Sequence, residues 1–289
     1  IANHAQLSAA LFEPTRHLSK FVPRLITSPT PGVQVIDFGQ NLAGLVQLNG
    51  LHCAAGTNVT LRHAELLTHP PYGPQDGTIY VGNLRGARAT DVYTCAGDEA
   101  GESYVPTFTQ HGFRYAEVSG LGFPLAEENI HAIEMHTDVR QHSSVVFSLP
   151  ILNQIAHAVL WGQKTNLMSG VPTDCPNRDE RRGWTGDTAL TAEEAAYNYR
   201  MGAVYTRWLD QFEDAATPDG SSRDFVPSLG WKGPGSPNWQ TAFPTLIWVL
   251  YHYYGDIDPA ERHHHSLCKY YDNLISHYNR TGVGSFHQG

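Results

Sequence analysis

The sequence predicts a multidomain β + α chain, with a β-sandwich over residues 1–147 and a helical unit over residues 148–289. Three observations predict this. Short apolar runs separated by turn signals recur from Val33 to Thr137, as in a sandwich. From Ile151 the apolar positions change to helical spacing: Ile151, Ile155, Val159, Leu160. Inside the helical half, residues 174–187 break the pattern with charges, glycines and a tryptophan.

Before Val33, Pro14, Pro23, Pro29 and Pro31 rule out a helix and leave a connector with one edge strand. Strands are then expected at 33–38, 46–48, 59–63, 78–81 (after the Asp76-Gly77 turn), 89–95, 104–108, 113–118 and 131–137. Ser148 is suited to cap a first helix with Pro150 in its opening turn. That helix ends before Ser169. A second starts at Asp187 or Thr188 and runs to Tyr199, and others follow at 203–213, about 239–254 and about 259–277.

A net charge of −9 with no basic patch argues against a nucleic-acid partner. No apolar run is long enough for a membrane helix, so no membrane partner is expected. The chain begins without Met or a basic leader and reads as a piece of something longer; cytoplasmic and secreted origins both stay open. The four cysteines lack CxxC spacing, which suggests no zinc site, and whether Cys53 and Cys95 pair stays open. His263-His264-His265 resembles a metal cluster, but consecutive helical positions point in different directions, which favours a solvated face. Asp37, Gln40 and Asn41 could bind a sugar or metal; Asx-type turn capping is the favoured reading. His63, Glu65, Arg85 and Arg88 are expected at a domain interface, and His111 and Arg114 at strand ends. Trp231 and Trp239 flank a Gly/Pro/Ser loop and belong either to a pocket wall or to the core.

Seven of the fourteen residues from Asp174 to Asp187 are charged, against 16% for the chain, and the signs alternate. A solvated helix face does not carry two glycines and a proline in so short a span. Such a loop suits carboxylate chemistry. Cleaving a glycosidic bond needs a protonated carboxyl for the leaving oxygen, groups that hold hydroxyls, and an aromatic wall. Glu180 is the natural acid, because Asp179, Asp174 and Asp187 surround it and like charges raise a carboxyl's pKa; Arg181 and Arg182 oppose that. The plainer alternative is a structural ion-pair loop.

Asp174-Cys-Pro-Asn-Arg-Asp-Glu-Arg-Arg-Gly-Trp-Thr-Gly-Asp187 closely resembles the signature of glycoside hydrolase family 78, the α-L-rhamnosidases. Val35-Ile-Asp-Phe-Gly-Gln-Asn-Leu-Ala-Gly44, Leu61-Arg-His-Ala-Glu65, Asn83-Leu-Arg-Gly-Ala-Arg-Ala-Thr-Asp91 and Phe108-Thr-Gln-His-Gly-Phe-Arg-Tyr115 resemble blocks of that family's preceding domain, in order. The resemblance implies inverting hydrolysis of terminal α-L-rhamnosides by a concanavalin-like β-sandwich followed by part of an (α/α)6 barrel. It implies Glu180 as general acid and Asp174, Arg178, Trp184, Asp187 and Trp239 as substrate-binding residues. No redox or nucleotide cofactor and no catalytic metal are implied, and a structural calcium stays open. The implied partners are a rhamnose-containing glycoside or oligosaccharide and the remainder of the barrel, from the same or another chain. About five of twelve barrel helices are expected here, and the family's general base comes from a later part of the barrel. Val159, Leu190, Trp208 and Leu246 are expected on the apolar face so left open. The chain departs from the family at Thr241, where Trp239-Gln-Thr-Ala242 replaces an expected Trp-x-Asp-Ala. Two rivals follow: a carbohydrate-binding homologue without turnover, and a related glycosidase acting on another sugar.

Overall fold

The computed structural model of the chain describes residues 9–228, 230 and 235–282; Trp231 lies outside the described residues. The first half is built from β1 (Thr15–Phe21), β2 (Leu25–Thr30), β3 (Val33–Leu51), β4 (Asn58–Ala64), β5 (Leu66–Leu67), β6 (Ile79–Tyr80), β7 (Thr90–Thr94), β8 (Glu102–Tyr104), β9 (His111–Ser119) and β10 (Ile130–Thr137). Among the described residues, eight of these form one curled antiparallel sheet in the order β1-β10-β3-β9-β4-β7, with β2 and β8 added along β3. β5 and β6 form a separate ribbon.

The core of this half comes from alternate positions of the longest strands. Ile36, Phe38, Val46 and Leu48 of β3 meet Phe113 and Val118 of β9, Val59 and Leu61 of β4, and Ile130 and Ala132 of β10. Apolar alternation explains why these segments are strands at all: each buries one face. β3 is one 19-residue strand where the spacing suggests two, because residues between Asp37 and Leu42 bulge out of the β9 ladder while the strand continues. The proline-rich opening holds two strands rather than one; β1 is the sheet edge, as expected, and β2 lies along β3. The expected strand at 104–108 stops at Tyr104, and Pro106, which has no N–H for a ladder, follows. Cys53 and Cys95 form a disulfide with Cα atoms 6.1 Å apart, while Cys175 and Cys268 are free.

The second half holds α1 (Pro150–Thr165), a small hairpin of β11 (Leu167–Met168) and β12 (Val171–Pro172), then α2 (Thr185–Asn198), α3 (Gly202–Ala215), α4 (Pro237–Gln240), α5 (Ala242–Tyr254), α6 (Asp258–Arg262) and α7 (His264–Thr281). Pro150 opens α1 as expected, but Ser148 makes no side-chain cap. Asn153 instead ties down the segment before the helix: its Oδ1 accepts the Phe147 N–H and its amide donates to the Phe147 carbonyl, both at 2.8 Å. The fourth and fifth expected helices are each split in two. The first break falls at Thr241 and the second at His263, a 1% exposed side chain lodged against Asp210 and Glu213. His264 and His265 are exposed, so the solvated reading holds for them and not for His263.

Two faces of the helices have different fates. Val204, Trp208 and Phe212 of α3 pack with Ala192 and Ala196 of α2 and Phe243, Leu246 and Leu250 of α5. Trp208 and Leu246 are therefore core, a correction to the expected open face, because the α3 and α5 stripes face each other. Val159 (38%) and Leu190 (86%) do lie on an open apolar face, with Ile151 and Ile155. α1 docks on the sheet by its other side. Trp161 meets Phe21 edge-on at 5.8 Å, Lys164 reaches the buried Glu134 at 2.7 Å, and His157 meets Gln40 of the β3 bulge at 3.0 Å.

Candidate active site

Residues 174–187 run from the β11–β12 hairpin to the first turn of α2. The glycines in this run are demanded by close approaches. A Cβ on Gly183 would collide with the Val226 carbonyl oxygen, and one on Gly186 would come within 2.6 Å of the Trp239 indole. With no side chain there, Gly183 accepts the Val226 N–H at 2.9 Å and Trp184 pairs with Phe225 as an isolated bridge. Thr185 locks the junction: its N–H donates to the Asp224 carbonyl at 2.9 Å, and its hydroxyl donates to the Arg223 and Asp224 carbonyls at 3.1 and 3.0 Å. These bonds start α2 at Thr185, two residues before the expected Asp187.

The centre is a compact cluster of Asp174, Cys175, Arg178 and Glu180, with ligand-type atoms of the two carboxyls and the thiol all within 4.8 Å of one another. The Asp174 side chain is 6% exposed and that of Glu180 is 27% exposed. The Cys175 thiol donates to Asp174 Oδ2 at 2.7 Å, and the Arg182 N–H donates to Oδ1 at 3.3 Å. Arg178 Nε donates to Cys175 Sγ at 3.2 Å, while its terminal nitrogen stands 3.6 Å from Asp174 and 3.7 Å from Glu180. Burial, then a hydrogen bond to Glu180, raises Asp174 above the usual carboxylate range. The bond from Asp174, then Arg85, lowers Glu180. The two carboxyls are thus pushed in opposite directions, Asp174 toward holding a proton and Glu180 toward releasing one.

This reverses the expected electrostatics of Glu180. Asp179 turns to Arg85, with Oδ1 at 3.0 and 2.7 Å from two guanidinium nitrogens, so its charge is paired with a cation that also reaches Glu180. Asp187 is exposed and lies across a separate cavity of about 310 Å³ that it shares with Asp174, Thr173, Thr188 and Glu194. Nor are the opposing cations Arg181 and Arg182: Arg182 lies over the Phe225 ring at 4.5 Å, and the Arg85 and Arg178 side chains face Glu180 instead.

Of the six residues singled out, Asp174, Arg178 and Glu180 come together directly, and Asp187 joins them through the Asp174 cavity. Trp184 and Trp239 flank the start of α2: Trp184 stands edge-on to Phe225 at 5.2 Å, and Trp239 lies against Gly186. Both indole N–H groups are buried with no hydrogen-bond partner among the described residues. Thr241 does not enter the cluster; its exposed hydroxyl donates to the Asn238 carbonyl at 2.6 Å.

Sequence reasoning missed the 221–226 segment, whose only signal was Gly183 itself. It anticipated the sheet half's share as interface residues. Glu65 accepts from Asn177 at 2.5 Å, from Asn83 at 3.2 Å and from Asn41 at 2.9 Å. Arg85 contacts both Asp179 and Glu180. Arg88 is exposed, and His63 is instead buried beside His111.

A family model for the bacterial alpha-L-rhamnosidase concanavalin-like domain matches residues 27–136, and one for the six-hairpin glycosidase domain matches residues 140–288. The chain is 43% identical over 251 residues to an alpha-L-rhamnosidase of Streptomyces avermitilis, covering 87% of this chain and 24% of that protein. It is 33% identical over 263 residues to an alpha-L-rhamnosidase of Alteromonas sp., covering 89% of this chain and 28% of that protein. Two solved structures superpose with a TM-score of 0.87 at 40% identity: the alpha-L-rhamnosidase of Dictyoglomus thermophilum, covering 92% of this chain and 29% of that one, and the S. avermitilis enzyme complexed with L-rhamnose, covering 93% and 25%. The chain therefore spans about a quarter of the length of the relatives it matches. The expected architecture, a concanavalin-like β domain followed by a six-hairpin helical domain, is shown by these matches. The chain belongs to the bacterial alpha-L-rhamnosidase family.

Proposed function

We propose that this chain carries the acid half of a site that hydrolyses terminal α-L-rhamnosides with inversion, as part of a longer polypeptide. The observation that carries the reading is the Asp174–Glu180 pair, two carboxyls brought together beside the Cys175 thiol and the Arg178 guanidinium. A carboxyl that can hold a proton near an exposed neighbour is what a departing glycosidic oxygen requires. Glu180, the more exposed of the two, gives the proton to the leaving oxygen and recovers one from Asp174 or solvent. Asp174, Arg178 and Asp187 orient the sugar hydroxyls, Trp184 supplies a stacking face, and Trp239 backs the opposite side through Gly186. The unpartnered indole N–H groups support a ligand between these walls.

An inverting site also needs a base about 6.5–9.5 Å from the acid, with room for a water. We assign that base to the remainder of the barrel, in the same chain or a second one. The open apolar face at Ile151, Ile155 and Leu190 supports such a covering partner. We place the division between the two units at residues 147/148, within the stretch between the end of β10 at Thr137 and the start of α1 at Pro150.

The second reading, a sugar-binding homologue without turnover, is favoured by Thr241, which stands where an aspartate is expected and spends its hydroxyl on Asn238. A panel of p-nitrophenyl glycosides, offered to a polypeptide that completes the barrel, separates the readings. Hydrolysis of the α-L-rhamnoside, with β-L-rhamnose as the first product by NMR, is expected. Rhamnose binding without hydrolysis would favour the binding homologue, and preference for another glycoside would move the substrate.

A further inference from the structure

The acid loop belongs to the helical half, yet one of the cations on its acid belongs to the sheet half. Arg85 follows the short 3-10 turn Gly82–Leu84 and adopts a backbone φ of 53°, a left-handed conformation that disfavours any residue with a side chain. That turn sends the guanidinium across the interface. One terminal nitrogen lies 2.7 Å from Asp179 Oδ1 and 2.5 Å from Glu180 Oε1, so one NH2 group of the guanidinium serves two carboxylates that are neighbours in sequence. Glu65 fixes the frame around it. It accepts from Asn83, at the Arg85 turn, and from Asn177, at the start of the acid loop, which ties the two segments together.

We propose that Arg85 is a positioning residue of the hydrolytic site, reaching from the β domain to hold Glu180 while Asp179 competes for the same guanidinium. The proposal rests on the reading of Glu180 as proton donor. Its consequence is that docking of the β domain sets both the orientation of the acid and the pH range in which it carries its proton. The charged or titratable groups facing Glu180 are Arg85 across the interface, Arg178, Asp174 and Cys175 within its own loop, and Asp179 beside it. Arg85 stabilises the carboxylate form of Glu180. Asp179 weakens that effect by drawing the guanidinium to itself and by adding like charge. The pair with Asp174 titrates as a unit, so the observable is the upper limb of the pH profile rather than one residue's constant.

The test is the pH dependence of kcat/KM for a rhamnoside, measured on the polypeptide with the complete barrel and on its Arg85→Gln, Arg85→Lys, Asp179→Asn and Glu180→Gln variants. Arg85→Gln is expected to move the basic limb upward by about one pH unit and to lower the plateau about tenfold through loss of orientation. Arg85→Lys restores most of the limb position. Asp179→Asn moves the limb the other way, to lower pH. Opposite shifts are the signature, because both substitutions break the same ion pair and a purely structural contact would respond alike to both. Equal or absent shifts in the two variants, with Glu180→Gln still strongly impaired, overturn the role of Arg85 alone. An unimpaired Glu180→Gln overturns the reading of the acid, and the proposal with it.

Discussion

Asp37 in the sheet and Glu180 in the acid loop are both carboxylates that meet arginines, and they are satisfied to very different degrees. Asp37 has one guanidinium to itself. Arg114 donates to its two oxygens at 2.8 and 2.7 Å, and the Gly39 N–H donates at 2.7 Å. Burial alone would raise its pKa, and these three bonds outweigh that and lower it. Glu180 shares Arg85 with Asp179 and shares Arg178 with Asp174. One site is closed to further partners, and the other is short of donors for its acceptors. A fully paired carboxylate holds a strand bulge in place; an under-supplied one can exchange protons and accept a ligand's hydroxyls.

The histidines of the sheet half extend the comparison. His63 and His111 stack at 4.0 Å with ring planes 16° apart, and His111 binds both oxygens of Asp91 at 3.1 and 3.0 Å. Near-parallel rings aim their lone pairs side by side instead of at a common point, which is poor geometry for one metal ion. Burial first, and then His111, holds His63 down at about 3, so it stays neutral and packs.

On this contrast, substitutions in the loop alter chemistry and spare the fold, while substitutions in the sheet core, away from the Arg85 contact with the loop, alter the fold and spare the chemistry. The largest effect is expected for Glu180→Gln, which should lower turnover of a natural rhamnoside about 10²–10⁴-fold with the thermal midpoint unchanged; a matching loss of stability would break the contrast. Glu134→Gln should destabilise by roughly 3 kcal/mol. Burial would raise the Glu134 carboxyl, yet bonds from His136 and Lys164 hold it at about 2. Its contribution is therefore complete above the unfolded value near 4.5 and is lost as the pH falls toward 2. Denaturant titrations of wild type and variant should converge at the acid end and separate above it. Replacing Cys53 and Cys95 with serine should cost about 2–4 kcal/mol of stability and leave rhamnose affinity intact, by calorimetry. Trp184→Ala should weaken rhamnose binding by about 1–3 kcal/mol, with a stability change too small to account for it.

The acid loop was legible in the sequence because its residues are contiguous and chemically unusual. The strand series was legible because alternation marks each buried face. What lay hidden was whatever depends on partners far along the chain. Glu180 is lowered by its bond to Asp174 and then by Arg85, where the sequence suggested net raising by acids against Arg181 and Arg182, since nothing in local order tells which neighbours face a side chain. Likewise, helical periodicity continues through Thr241 and His263, so the breaks there are invisible until His263 is seen held between Asp210 and Glu213. Trp208 and Leu246 looked available for an open face because an apolar stripe does not say which neighbour covers it; α3 and α5 cover each other.

The central claim is that Glu180 gives its proton to the departing oxygen. The most direct test is the leaving-group dependence of Glu180→Gln in the polypeptide with a complete barrel. A p-nitrophenolate leaves without much acid help, whereas a sugar alcohol does not. The account predicts that the variant loses far more activity on a rhamnosyl disaccharide than on p-nitrophenyl α-L-rhamnoside, and that its basic pH limb flattens on the aryl substrate. Equal losses on the two substrates, with the limb unchanged, would contradict it.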